Sequence, residues 1–115
     1  MALDVIQAAE TINALENFLD QRRPPEHIRS EVDLSYKIEN QSVIIFEIRP
    51  HWQNSEMKIE GPNAKTTWVN TQKVWKVYWM RSDLKWHSYD PKPTVKNIEG
   101  FLKVVDEDAH GCFWG

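Results

Sequence analysis

Between Trp68 and Tyr89 the chain carries six aromatic rings: Trp68, Trp75, Tyr78, Trp79, Trp86 and Tyr89. Rings of this size suit a pleated, half-buried surface. Across Lys73 to Arg81, Val74, Lys76, Tyr78 and Met80 alternate with Trp75, Val77, Trp79 and Arg81, so both faces of one strand hold large rings. Such a strand belongs within a sheet, and at least one face of that sheet must pack on another layer.

The rest of the chain supplies that layer and the remaining strands. Val5, Ile6, Ala9, Ile12, Leu15, Phe18 and Leu19 recur at three- and four-residue spacing and predict an amphipathic helix with one apolar stripe. Asp4 with Gln7 fits a capping start, and Pro24-Pro25 ends the element. Val32 to Glu39 alternates apolar and polar, Asn40-Gln41 reads as a turn, and Ser42 to Arg49 reads as an inner strand. Pro50 to Asn63 reads as a long loop. Ala64 to Val69, Lys73 to Arg81 and Leu84 to Tyr89 follow as strands, and Pro91 and Pro93 close the sheet. Asn97 caps a second helix with Ile98, Phe101, Leu102 and Val105 as its stripe, and Gly111 stops it. The apolar tail Cys112-Phe113-Trp114-Gly115 is expected to dock on the sheet or on a second subunit. These readings predict a single α+β domain over 1–115. An N-terminal helix precedes an antiparallel meander of about five strands and a C-terminal helix, with the helices on one face of the sheet.

A chain of 115 residues with 41% hydrophobic and 27% charged content is that of an ordinary globular domain. The single cysteine, Cys112, has no cysteine partner, which points to a reducing, cytoplasmic setting. The first twenty residues lack a basic segment of the kind that opens a secretory signal, and no apolar run approaches membrane-spanning length. The formal net charge of −3 argues against strong nucleic-acid binding. Charge is uneven, however: residues 1–61 are net −5, residues 62–90 net +3 and residues 91–115 net −1. The aromatic segment is therefore the locally basic one.

The strings Arg49-Pro50-His51-Trp52, Ala64-Lys65, Trp75-Lys76-Val77-Tyr78-Trp79, Leu84-Lys85-Trp86-His87-Ser88-Tyr89, Pro93 and Phe113-Trp114-Gly115 resemble a family of small bacterial proteins classed as a domain of unknown function. The resemblance runs from about Val32 to the C-terminus. It implies a single bacterial cytoplasmic domain and brings no activity, cofactor or catalytic residue.

Chemistry-bearing residues are sparse. His27, His51, His87 and His110 form no HxH, HxxxH or HExxH pair, so no metal is expected. No Gly-rich phosphate loop occurs, so no nucleotide cofactor is expected. Cys112 lies two positions from His110, a nucleophile-and-base pairing only if the geometry allows it. Glu47 sits in an apolar strand with Arg49 on the same face as its natural ion-pair partner. Asp106, Glu107 and Asp108 read as a solvated helix end. A small hydrolase or transferase would need Glu47, His51 and His87 to converge.

The aromatic strands are the stronger signal. One sheet face packs on helices. The other is either covered by a loop, the tail or a second subunit, or presents rings beside cations: Tyr78 with Lys76, or Trp75 and Trp79 with Arg81. Rings beside cations suit a protein partner, self-association or weak single-stranded nucleic-acid binding. The candidate contact set is Arg49, Trp52, Trp79, Arg81, Trp86, His87 and Tyr89. It implies a non-enzymatic binding domain.

Overall fold

The apolar patterns become elements in the computed structural model, which describes residues 2–54 and 56–114. Helix α1 spans Val5–Arg22, and its Asp4 cap accepts from the Gln7 amide at 2.8 Å. A 3₁₀ turn at Glu26–Ile28 leads into the strands β1 (Asp33–Glu39), β2 (Ser42–Pro50), β3 (Lys58–Val69), β4 (Val74–Met80) and β5 (Trp86–Ser88). These form an antiparallel meander in the order β1-β2-β3-β4-β5. The two-residue strand β6 (Thr94–Val95) pairs with β4 beside β5, and helix α2 (Ile98–Glu107) completes the α+β domain.

Register sorts the strand residues onto two faces. Ile38, Val43, Thr66 and Val77 stand in one cross-strand row, and Tyr36, Ile45, Ala64 and Trp79 in the next. This face meets both helices: Val43, Ile45, Ala64, Trp75 and Val77 share a core with Leu15 of α1 and Phe101, Leu102 and Val105 of α2. Ile98, Phe101, Leu102 and Val105 of α2 are all buried, each contributing about 1.5–3 kcal/mol of transfer free energy. The Asn97 side chain caps the helix by accepting from the Gly100 amide at 2.8 Å.

Several expectations need correction. The α1 stripe is narrower than its spacing implies. Thr11, Ala14 and Leu15 are buried, Phe18 and Leu19 pack partway, and Val5, Ile6 and Ile12 stay exposed. The buried Thr11 hydroxyl is satisfied by the Gln7 carbonyl at 2.7 Å.

Half of the expected loop is strand. β2 runs on to Pro50 and β3 starts at Lys58, because Phe46–Pro50 keeps pairing with Lys58–Pro62 beyond a bulge between Ile45 and Phe46 that leaves Asn63 as the extra residue. Pro62 then faces Phe46 where β4 no longer reaches, a sheet edge that tolerates a missing amide donor.

At the other end, β5 starts two residues later than its sequence suggests, since Leu84 takes a left-handed φ of 61° in the preceding turn. Pro91 and Pro93 do not end the sheet. The Pro93 carbonyl accepts from Val77 N at 2.9 Å and delivers the chain into β6.

Helix α2 is stopped by Asp108, in left-handed conformation (φ 42°, ψ 51°), rather than by Gly111. Asp108 is no bystander at a solvated end. Its carboxylate accepts from the Phe113 and Trp114 amides, both at 3.1 Å, and thereby folds the tail back. The tail docks on its own protomer. Phe113 enters the core with its ring 4.9 Å from that of Tyr89, and Trp114 Nε1 donates to the Val105 carbonyl at 2.8 Å. Arg22 covers the Trp114 ring at 4.3 Å while holding Asp106, so α1, α2 and the tail are joined at one point. Gly115 lies outside the described residues.

Candidate aromatic and basic sheet surface

The face turned away from the helices is built from the alternate residues of the same strands. Lys37, Ile44, Lys65, Tyr78 and Ser88 form one cross-strand row, and Met80 stands opposite Trp86. Ile44 and Phe46 belong to this face, yet are only 9% and 6% exposed. Lysines account for part of that cover. Lys37 Nζ lies 5.5 Å from the Phe46 ring, and Lys65 Nζ lies 5.8 Å from Tyr78 and 5.9 Å from Trp86. An ammonium over the face of a ring is attracted by the ring's electron density and shields that face from water.

The electrostatics of this face are lopsided. Lys37 meets Glu60 at 3.4 Å and Glu39 at 3.8 Å. Among the described residues Lys65 and Lys76 have no carboxylate within ion-pair distance. The result is a ridge of Phe46, Tyr78, Met80 and Trp86 flanked by two unneutralised cations. Such a surface can seat an apolar anchor and attract an anion. It offers no nucleophile paired with a base.

The seven residues singled out by sequence do not share one surface. Trp86 lies on the open face. Its neighbour His87 stands opposite Trp79, on the helix side, because adjacent strand residues point to opposite faces. Arg81 lies 5.5 Å over the Trp79 ring. Arg49 pairs with Glu47 at 2.7 Å, the ion pair their spacing suggests. Trp52, 82% exposed, stacks on His51 in the loop beyond β2, with ring centroids 5.9 Å apart. Tyr89 is 2% exposed within the core, so it leaves the contact set: the chain turns it inward against Phe113.

Residues that sequence reasoning passed over are Lys37, Lys65, Ile44 and Phe46. The signal for Lys65 was its place between Ala64 and Thr66. Once those two small residues are known to face the helices, alternation sends Lys65 to the other side, next to Tyr78.

Glu47, His51 and His87 do not assemble. His87 stands across β4 and β3 from the Ile45 position of β2, about 14 Å away at ordinary strand spacing. Each is also otherwise engaged. His87 Nε2 is 2.8 Å from Asp83 Oδ2, His51 Nδ1 accepts from the Gln53 amide at 3.1 Å, and Glu47 accepts from Asn63 Nδ2 at 2.8 Å. The hydrogen bond with His87 is the main reason the Asp83 carboxyl is held below its ordinary range. Burial, reinforced by the Asp108 charge, pushes the Cys112 thiol up, which disfavours the thiolate a nucleophile needs. Among the described residues no group of three or more His, Cys, Asp or Glu side chains is placed to hold a metal ion. No helix among them is long and apolar enough to cross a membrane.

A family model described as Domain of unknown function (DUF3024) matches residues 3–115. The chain belongs to that family. The match takes in α1 and the α1–β1 connection as well as the strands and tail that carry the tryptophan pattern. No curated protein and no solved structure matches the chain.

Proposed function

We propose that this DUF3024 domain is a non-enzymatic binding domain, and that its contact surface is the helix-free face of the sheet around Tyr78, Trp86, Lys65 and Lys76. One observation carries the reading: a sheet packed by helices on one side only, whose other side combines large rings with cations that lack a carboxylate. The partner that fits is a protein surface with an apolar anchor ringed by carboxylates, a second copy of the chain included. Interfaces of this kind concentrate their energy in Trp, Tyr and Arg anchors. A reducing, cytoplasmic setting agrees with the lone thiol of Cys112.

A photo-cross-linking residue at position 78, compared with the same residue at exposed position 99 on α2, tests the reading in cells of the source organism. Adducts confined to position 78, and reduced by Lys65→Glu, are expected. Equal labelling at both positions, together with a monomer in sedimentation, would remove the basis for it.

The same unneutralised lysines favour a second reading, weak single-stranded nucleic-acid binding with bases stacked on Tyr78 and Trp86. It predicts oligonucleotide anisotropy that rises at low salt, falls as salt is added and is lost in Lys65→Glu/Lys76→Glu. An unchanged signal in that double variant would refute it.

A further inference from the structure

A different part of the molecule suits a small ligand. The first turn of α2 lies close against β6: a Cβ at Gly100 would sit 3.3 Å from Val95 Cβ, tighter than most contacts of its kind. Beyond this point α2, β6 and the segment after β5 surround a solvent-open cleft of about 750 Å³. That volume falls among those of small-molecule sites, roughly 300–1,000 Å³. Its walls are largely apolar, from Val74, Val95, Val104 and the ring of Tyr89.

The charged side chains around it are Lys92, Lys96 and Lys103, against Glu107 alone. Glu107 is taken up by Lys103 at 3.9 Å, and among the described residues Lys92 and Lys96 have no carboxylate within ion-pair distance. This gathering of cations occurs on a protein of net charge −3, in a segment that is itself net negative. The neighbouring groove between α1 and α2 has no such bias, for it sets Glu99 and Asp106 against Arg22 and Lys103.

We propose that this cleft binds a small amphipathic anion, with an acyl or aryl body on the valine wall and a carboxylate or phosphate between Lys92 and Lys96. Hydrocarbon on Val74, Val95 and Val104 provides the burial, and the two lysines select the charge. The cleft lies at the β4–β6 edge of the sheet, and its lysines, Lys92 and Lys96, are distinct from Lys65 and Lys76 of the open face.

The probe is 1-anilinonaphthalene-8-sulfonate, titrated into the folded protein by fluorescence. Saturable binding is expected, displaced by octanoate and octyl phosphate but not by octylammonium or octanol. Relative potency of the two anions distinguishes a carboxylate from a phosphate ligand. Lys92→Glu/Lys96→Glu should weaken binding about tenfold, as the loss of two favourable charge contacts implies. Val104→Trp should abolish binding by filling the cleft, with circular dichroism confirming the fold. Lys58→Glu, an exposed charge reversal at the start of β3 outside both surfaces, should leave the titration unchanged. Binding that survives the double charge reversal, or displacement by octylammonium as strong as by octanoate, overturns the proposal.

Discussion

The two faces of this sheet are made by alternate residues of the same strands, and they solve the same problem differently. On the helix side, Trp75, Tyr89, Phe101 and Phe113 are sealed by packing against one another and against aliphatic side chains. On the other side, Phe46 and Ile44 reach almost the same burial with no helix over them. There lysine ammonium groups stand 5.5–5.9 Å from the ring centroids. The difference teaches how a chain with so many rings can stay folded with one open sheet face. It also qualifies the aromatic argument for recognition. An excess of rings does not by itself require a partner, because a cation can cover a ring from within the protomer. In the proposed reading, the case for a partner rests on Lys65 and Lys76, which among the described residues have no carboxylate within ion-pair distance.

The comparison breaks hardest at Trp75. It is 2% exposed, pairs with Val95 across β4 and β6 and meets Trp68 at 5.4 Å. Trp75→Ala should cost about 3–5 kcal/mol in chemical denaturation, the usual range for emptying a large aromatic site. Trp86→Ala, the same deletion on the open face, should cost far less. Equal losses would mean that the open face is as tightly closed as the core.

Next in size is Asp108, which ends α2 and holds the tail over the helix side. Asp108→Ala leaves two tail amides without their acceptor and puts alanine in a left-handed conformation, an expected loss of about 2 kcal/mol. Asp108→Gly relieves the backbone term and should recover part of it. Protection of the Phe113 and Trp114 amides from hydrogen exchange should fall in both variants. Retained protection would show that ring packing alone holds the tail.

Much of the architecture was legible because it depends on periodicity. The stripe of α2, the alternation of β1 and the Asn97 cap follow from residue spacing alone. The misread elements depend on pairing partners, which spacing does not contain. Pro62 looks like a loop residue until Phe46 lies opposite it across a bulge. Leu84 looks like a strand residue until the turn needs a positive φ. The grouping of the contact residues was hidden for a related reason. Alternation already sends Trp86 and His87 to opposite faces, but which of the two shares a face with Trp79 depends on strand pairing. Lys65 left only an alternation signal, because its role comes from two rings on two other strands.

A smaller effect tests how the helix layer is tied to the sheet. Arg23, just past α1, grips Asp33 at the start of β1 with two hydrogen bonds of 2.7 Å. The bond from Arg23 is the largest of the influences that lower the Asp33 pKa from its ordinary 3.8. A lowered carboxylate pKa adds stability above the unfolded value, and that stability is lost as pH falls through the folded value. Arg23 is 41% exposed, so solvent screening limits the pair to about 1 kcal/mol or less. Asp33→Asn should lower stability by that amount at pH 7 and flatten the stability profile below about pH 4, where the wild type loses the same contribution. An unchanged acid limb would detach Asp33 from acid unfolding.

The smallest effect bears most directly on the open face. If lysine stems are what cover its rings, Lys65→Ala should cost about 0.5–1 kcal/mol, whereas Lys65→Met, which keeps a similar stem and loses the charge, should cost about half as much. Equal losses in the two variants would mean that the ammonium held against Tyr78 and Trp86, and not the hydrocarbon beneath it, stabilises this face. Binding separates the two roles further. A partner that supplies carboxylates needs the ammonium and not the stem, so Lys65→Met should retain most of the stability and still lose the cross-links at position 78. A methionine that keeps both the stability and the cross-links would show that the hydrocarbon stem of residue 65, and not its ammonium, serves recognition on this face.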